Sequence, residues 1–171
     1  MVRAVRLRHP FYIHGWVVLP EHLHCVIELL SHDTSFAMRW RLIKMGFSRA
    51  LPKVWRLSAV RAARGERGIW QRRYWEHLIR DDADMEAHMA YVHFNPVKHG
   101  LVSGVADWPH STFHTLLKAG VYPPDWAGGE ADALGYDDWH AAQCAALIAP
   151  YALQSRIDQL EKELAEARAK K

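Results

Sequence analysis

Residues 11–29, FYIHGWVVLPEHLHCVIEL, set two apolar runs rich in β-branched and aromatic side chains on either side of Pro20 and Glu21. Runs of this kind favour extended backbone and a polar pair containing proline favours a turn, so the segment is expected to fold as two strands meeting at a tight turn. Side chains alternate across a strand, which puts His22 and His24 on one face of the second strand and Leu23 and Cys25 on the other. Two neutral imidazoles side by side form a convergent pair of nitrogen ligands for a divalent metal. The same spacing also suits two half-buried strand histidines, and a chain with 12 histidines produces such pairs by chance.

A second stretch, MAYVHFNPVKHGLV, belongs to a short helix. Asp81 and Asp82 are good N-cap residues with more acid in the following turn, and Pro96 is expected to stop the helix. Tyr91 and Asn95 lie four residues apart and share a face, with His88 one turn earlier on the same stripe. Alone, this pattern fits a core tyrosine and an asparagine capping the helix end. Its pairing with the histidine strand opens a second reading, in which the two elements face each other as one site.

Charge is unevenly spread along the 171 residues: the whole chain carries a net +3, yet residues 1–118 hold 17 Lys/Arg against 10 Asp/Glu. The basic residues are densest between positions 36 and 80. Arg39, Arg41, Lys44, Arg49, Arg64, Arg67, Arg72 and Arg73, together with Lys98 in the helix motif, are candidate contacts to DNA phosphates, which would make binding steeply salt-dependent. Trp40, Trp55, Trp70, Tyr74 and Trp75 are interleaved with them and offer stacking surfaces for unpaired bases. A solvated basic face with core tryptophans is the alternative. For Trp40 the core is preferred, since Phe36, Trp40, Ile43 and Phe47 form a helical apolar stripe behind the capping run at residues 33–35. Residues 61–68, RAARGERG, read as a flexible basic loop.

Two cysteines, Cys25 and Cys144, without CxxC spacing argue against a disulfide framework or a zinc ribbon. No apolar run approaches the length of a membrane span and no signal segment opens the chain, so a cytoplasmic location is expected. Beyond Gly120 the sequence turns rich in proline, glycine and acid, then is expected to become helical from about His140, interrupted at Pro150. Leu153, Ile157, Leu160 and Leu164 fall at coiled-coil spacing near the end, over a length that also fits a frayed, solvated helix.

These motifs resemble the HUH single-tyrosine transposases and, within them, the REP-associated tyrosine transposases. Members carry a strand motif like MPNHxH, a segment like WQRxFYDHxIR, a helix like YIHxNPVKxGLV and a tail like DWPxSSF. This chain has LPEHLH at 19–24, WQRRYWEHLIR at 70–80, YVHFNPVKHGLV at 91–102 and VADWPHSTF at 105–113, in the same order. Glu21 replaces the usual asparagine at a turn position where either polar residue fits. The likeness covers residues 1–126 and leaves 127–171 as a linker and a C-terminal helical tail.

The resemblance implies an α+β fold, a ferredoxin-like antiparallel sheet with helices on one face. It implies that Tyr91 is the nucleophile, forming a 5′-phosphotyrosine, and that His22, His24 and Asn95 hold a divalent metal, Mg or Mn. It implies a DNA substrate, single-stranded and hairpin-forming. Members begin with a strand and a helix where this chain opens MVRAVRLRHP, which looks like the end of that helix alone. The first strand is interior to the family's sheet, so its neighbours would be left to find other backbone partners. Those open edges and the leucine stripe make a homodimer the expected assembly. A binding-only remnant and a hydrolytic metallonuclease with a structural Tyr91 stand as alternatives.

Overall fold

The computed structural model describes residues 1–52, 58–70 and 74–128, together with the backbone of residues 144–149. The expected hairpin is there. Strands β1 (Phe11–Val18) and β2 (Leu23–Leu29) pair antiparallel, with Trp16 opposite Cys25 and Val17 opposite His24. The Leu19 N–H donates to the His22 carbonyl at 2.8 Å, so Pro20 and Glu21 form the turn and His22 is its last residue, one position ahead of β2.

Every residue of β2 is buried, because the sheet is covered on both sides. On one side Leu23, Cys25, Ile27 and Leu29 pack with Val5 of α1 (Val2–Arg8) and with Phe36, Trp40 and Ile43 of α2 (Phe36–Ala50). On the other, Val17 and Val26 pack with Ile79 and with Val92 of α4 (Asp82–Lys98). Each of these large apolar side chains contributes about 1.5–3 kcal/mol when fully buried. The class is α+β as expected, but helices flank both faces where the resemblance implied one.

Helix α2 follows its expected stripe. Trp40 is 1% exposed, and Phe47 at the stripe's outer end meets Trp70 with ring centroids 5.2 Å apart. Arg39 departs from expectation. It is 2% exposed, and all five of its guanidinium N–H donors are engaged, by the Asp33 carboxylate and by the carbonyls of His9, Pro10 and Ser35. An arginine so bound has no donor left for a phosphate, and it joins the end of α1 to the start of α2 instead. Arg67 is likewise committed: its guanidinium donates to the carbonyls of Ser48, Leu51 and Pro52 and satisfies the last turn of α2. The expected basic loop at 61–68 starts as the last residues of a short helix, α3 (Ala59–Ala63), with Ser58 as its N-cap.

Strand β3 (Trp75–Leu78) lies at the far edge of a four-stranded sheet of order β1-β2-β4-β3. The strand between, β4 (Cys144–Ala149), comes from the C-terminal stretch that was expected to be helical from about His140. It runs parallel to both neighbours, with Leu23 opposite Cys144 and Trp75 opposite Ala145. Two facing rows of unpaired N–H and C=O groups can be satisfied together only by an extended segment, a demand that overrides local helix preference. The interior position is thus filled by the chain itself, and the sheet is mixed, antiparallel only between β1 and β2. One of the two reasons for expecting a homodimer is removed, while the other, the Leu153 to Leu164 stripe, lies outside the described residues.

The outer edge of β1 is covered by the DWPHSTF segment: Val18 N–H donates to the His110 carbonyl, Thr112 N–H to the Trp16 carbonyl, and the Trp108 indole to the Val18 carbonyl. Helix α4 opens as expected, the Asp81 carboxylate accepting from the Asp84 N–H at 2.8 Å. It does not stop at Pro96. The proline forfeits one backbone bond within the last turn, and the helix runs on to Lys98. Its stop signal is Gly100, at φ +65°, with Gly100 N–H bonded to the Val97 carbonyl and Leu101 N–H to the Pro96 carbonyl. This pair of bonds needs a left-handed residue, which glycine supplies without strain.

Candidate active site

The hairpin turn and the last two turns of α4 bring the two predicted motifs together. The rings of His22 and His24 sit edge to face with centroids 4.8 Å apart, and the Tyr91 ring lies 5.3 Å from His24 at an interplanar angle of 81°. Asn95 is fully buried, its amide nitrogen donating to the Tyr91 carbonyl at 3.3 Å, and its side chain approaches both imidazoles. Neither ring nitrogen of His24 nor the Asn95 side-chain oxygen has a well-formed hydrogen bond among the described residues. Buried polar atoms are nearly always satisfied, so three such atoms at one spot ask for a ligand. Burial, reinforced by neighbouring His22 and His99, pushes the His24 pKa down to about 3, and burial lowers that of His22 as well. Both rings are therefore kept neutral and able to offer lone pairs. Nitrogen and amide oxygen donors in this number fit a divalent ion.

Two positively charged or basic groups join the site. The Lys98 ammonium lies 5.5 Å from the Tyr91 ring centroid, and the His99 ring lies 5.1 Å from that of His22. His99 was not among the residues expected from sequence. Tyr91, Asn95 and His99 are spaced by four, and the stripe was legible once α4 is carried past Pro96.

His88 shares α4 with Tyr91 but serves a different cluster. Its Nδ1 lies 2.7 Å from the Asp84 carbonyl and 2.9 Å from the Asp84 carboxylate, whose other oxygen is 2.8 Å from His77 Nε2 on β3. The two imidazoles stack at 4.5 Å, and the Trp75 ring lies beside both, 5.8 Å from His77 and 6.4 Å from His88. Burial raises the Asp84 carboxyl, but hydrogen bonds from His77 and the Arg80 N–H, with the charges of His88 and His77, together hold it below the ordinary range. These three residues could themselves hold a metal. As found, they clamp β3 to the first turn of α4.

Of the expected phosphate contacts, Arg41, Arg49, Arg64 and Lys98 are exposed, and Lys44 stands over the rings of Trp70 and Tyr74. Arg39 and Arg67 are structural as described above. Arg72, Arg73 and Trp55 lie outside the described residues. Trp70, Tyr74 and Trp75 pack against the two cores, the Trp70 indole donating to the Lys44 carbonyl at 3.1 Å.

An α+β sheet that sets a histidine pair opposite a helix-borne tyrosine is the architecture of the HUH single-tyrosine transposases. No protein-family model matches the chain. Individual relatives do. The REP-associated tyrosine transposase of Escherichia coli K12 is 46% identical over 128 residues, which cover 75% of this chain and 70% of that protein. A Haemophilus influenzae protein named for the same activity is 47% identical over 121 residues, 70% of this chain and 69% of its own. A solved structure of a REP-associated tyrosine transposase bound to a REP hairpin superposes with a TM-score of 0.63 at 45% identity, covering 77% of this chain and 72% of the other. The chain belongs to the REP-associated tyrosine transposases.

Proposed function

We propose that this protein cleaves and rejoins single-stranded, hairpin-forming DNA, with the Tyr91 hydroxyl as nucleophile. The observation that carries the reading is the contact of Tyr91 with His24, beside three buried polar atoms that have no well-formed hydrogen bond among the described residues. Attack of the Tyr91 oxygen, which gives up its proton to solvent, on a backbone phosphorus forms a 5′-phosphotyrosine and breaks the bond to the 3′ oxygen, which leaves as a hydroxyl after taking up a proton. The ester conserves the bond, so a 3′-hydroxyl of a second strand reverses the step and joins the ends.

A tyrosine hydroxyl is a weak nucleophile on a phosphodiester, so the phosphate has to be activated. A divalent cation, Mg or Mn, held by His22, His24 and Asn95 would polarise its non-bridging oxygens. Asn95 also holds the Tyr91 carbonyl, fixing the last turns of α4 as one unit. Lys98 adds positive charge where the phosphate and the developing phenolate meet. Arg41, Lys44, Arg49 and Arg64 are the candidate contacts to the rest of the DNA backbone. Its DNA substrate puts the protein's work in the cytoplasm.

The test uses the full chain and a hairpin DNA labelled at its 3′ end. On a denaturing gel the wild type should give a protein-linked labelled band, and Tyr91→Phe should lose that band while still shifting the DNA on a native gel. An adduct in Tyr91→Phe refutes the nucleophile. Free cleaved ends without adduct indicate hydrolysis, and a shift without cleavage indicates a binding protein; either outcome overturns the proposal.

A further inference from the structure

His99 caps the C-terminal end of α4, on the stripe that carries Tyr91 and Asn95, and the Gly100 turn holds it there. Its ring stands 5.1 Å from that of His22, which in turn stands 4.8 Å from His24. Imidazole nitrogens bind metals at about 2.0–2.1 Å, so the centroids of two rings sharing one ion in tetrahedral or octahedral geometry lie about 4.5–5.2 Å apart. Both separations fall in that interval. The rings meet edge to face, at 87° and 72°.

We infer that His99 is a third imidazole ligand of the ion held by His22, His24 and Asn95, giving a nitrogen-rich donor set that binds Co2+ or Zn2+ in preference to Mg2+. The inference rests on the proposed metal site. Imidazole suits the later first-row ions, whereas Mg2+ favours oxygen ligands and keeps its water. Removing one imidazole therefore weakens binding of Co2+ more than binding of Mg2+. His99 is exposed, which makes its replacement compatible with the fold.

The experiment titrates Co2+ and Mg2+ into the full-length protein by calorimetry, without DNA, and follows the visible absorption of bound Co2+. A His77→Ala, His88→Ala background removes the other histidine cluster from the count, and a native gel shift with hairpin DNA checks that each variant is folded. His99→Ala should weaken Co2+ binding about tenfold or more, change its absorption band, and alter Mg2+ affinity less than about twofold. His99→Gln, which preserves bulk and keeps an oxygen donor, should show the same loss of preference for Co2+. If His22→Ala abolishes Co2+ binding while His99→Ala leaves affinity and spectrum unchanged, His99 is a packing neighbour and the inference falls with the metal site intact. If His22→Ala, His24→Ala and His99→Ala all leave Co2+ binding unchanged, the metal site itself fails. Co2+ binding that disappears in the His77→Ala, His88→Ala background alone assigns the ion to that cluster and overturns the inference.

Discussion

Helix α4 bears a histidine cluster at each end, and the two differ in how their polar atoms are satisfied. Near its start, His77 and His88 are bound by Asp84, whose carboxylate bridges both rings. Near its end, His22, His24 and His99 gather beside Asn95, and neither His24 nitrogen makes a well-formed hydrogen bond among the described residues. A buried polar atom left unpaired costs about 1–3 kcal/mol. Under the proposed function, these atoms are the ones left for a bound ion. The number of histidines therefore distinguishes nothing here; Asp84 ties the two rings of the first cluster together, whereas in the second both nitrogens of His24 lack a well-formed hydrogen bond among the described residues.

The sharpest way to break this contrast is to empty each cluster in turn. His24→Ala should lower the rate of DNA–protein adduct formation by about a thousandfold, since a lost metal forfeits several kcal/mol of transition-state stabilisation. His88→Asn should leave that rate within about threefold wherever the variant is folded, and should instead lower the urea midpoint. A His88 variant of normal stability that cannot form the adduct would put the first cluster in the active site.

The pH dependence of the metal-free protein separates them less dramatically. His24 has its folded pKa lowered to about 3 from 6.5, so between those values the unfolded chain binds a proton that the native state refuses. Stability is then highest above pH 6.5 and falls as pH drops toward about 3, by roughly a few kcal/mol if His24 acts alone. His24→Gln should flatten that slope in denaturant melts at stepped pH. An unchanged slope would show that the ring is not desolvated as the geometry requires.

The smallest effect concerns the basic residues. Arg41→Ala should reduce the slope of log affinity for hairpin DNA against log salt by about one unit. Arg39→Lys should leave the slope alone and lower the melting temperature, because it breaks the guanidinium's bonds at the α1–α2 junction. Equal slopes for Arg41→Ala and wild type would return Arg41 to the solvated face.

Particular residues show why some of this was readable in sequence and some was not. The hairpin was, because alternation and the Pro20 turn are local. So were Asp81 as a cap and the inward stripe of Phe36, Trp40 and Ile43. The end of α4 was misjudged at Pro96, since a proline in the last turn removes only one bond, and with that error His99 fell off the stripe. Arg39 and Arg67 read as DNA contacts because composition carries no burial; both fold back on carbonyl groups brought near by other elements.

What the sequence determined by itself was short-range: the hairpin of residues 11–29, the start of α4 at Asp81, that His22 and His24 share a face, and that Tyr91 and Asn95 share another. Backbone periodicity is enough for that, since the spacing of side chains along a strand or helix is set by covalent geometry. Only the tertiary structure decided that the two faces meet, that His88 is drawn away by Asp84, and that residues 144–149 extend to fill the gap between β2 and β3. Those outcomes depend on partners distant in the chain. A backbone donor or a buried imidazole must be satisfied by whatever group the fold brings within reach, and local pattern carries no record of it.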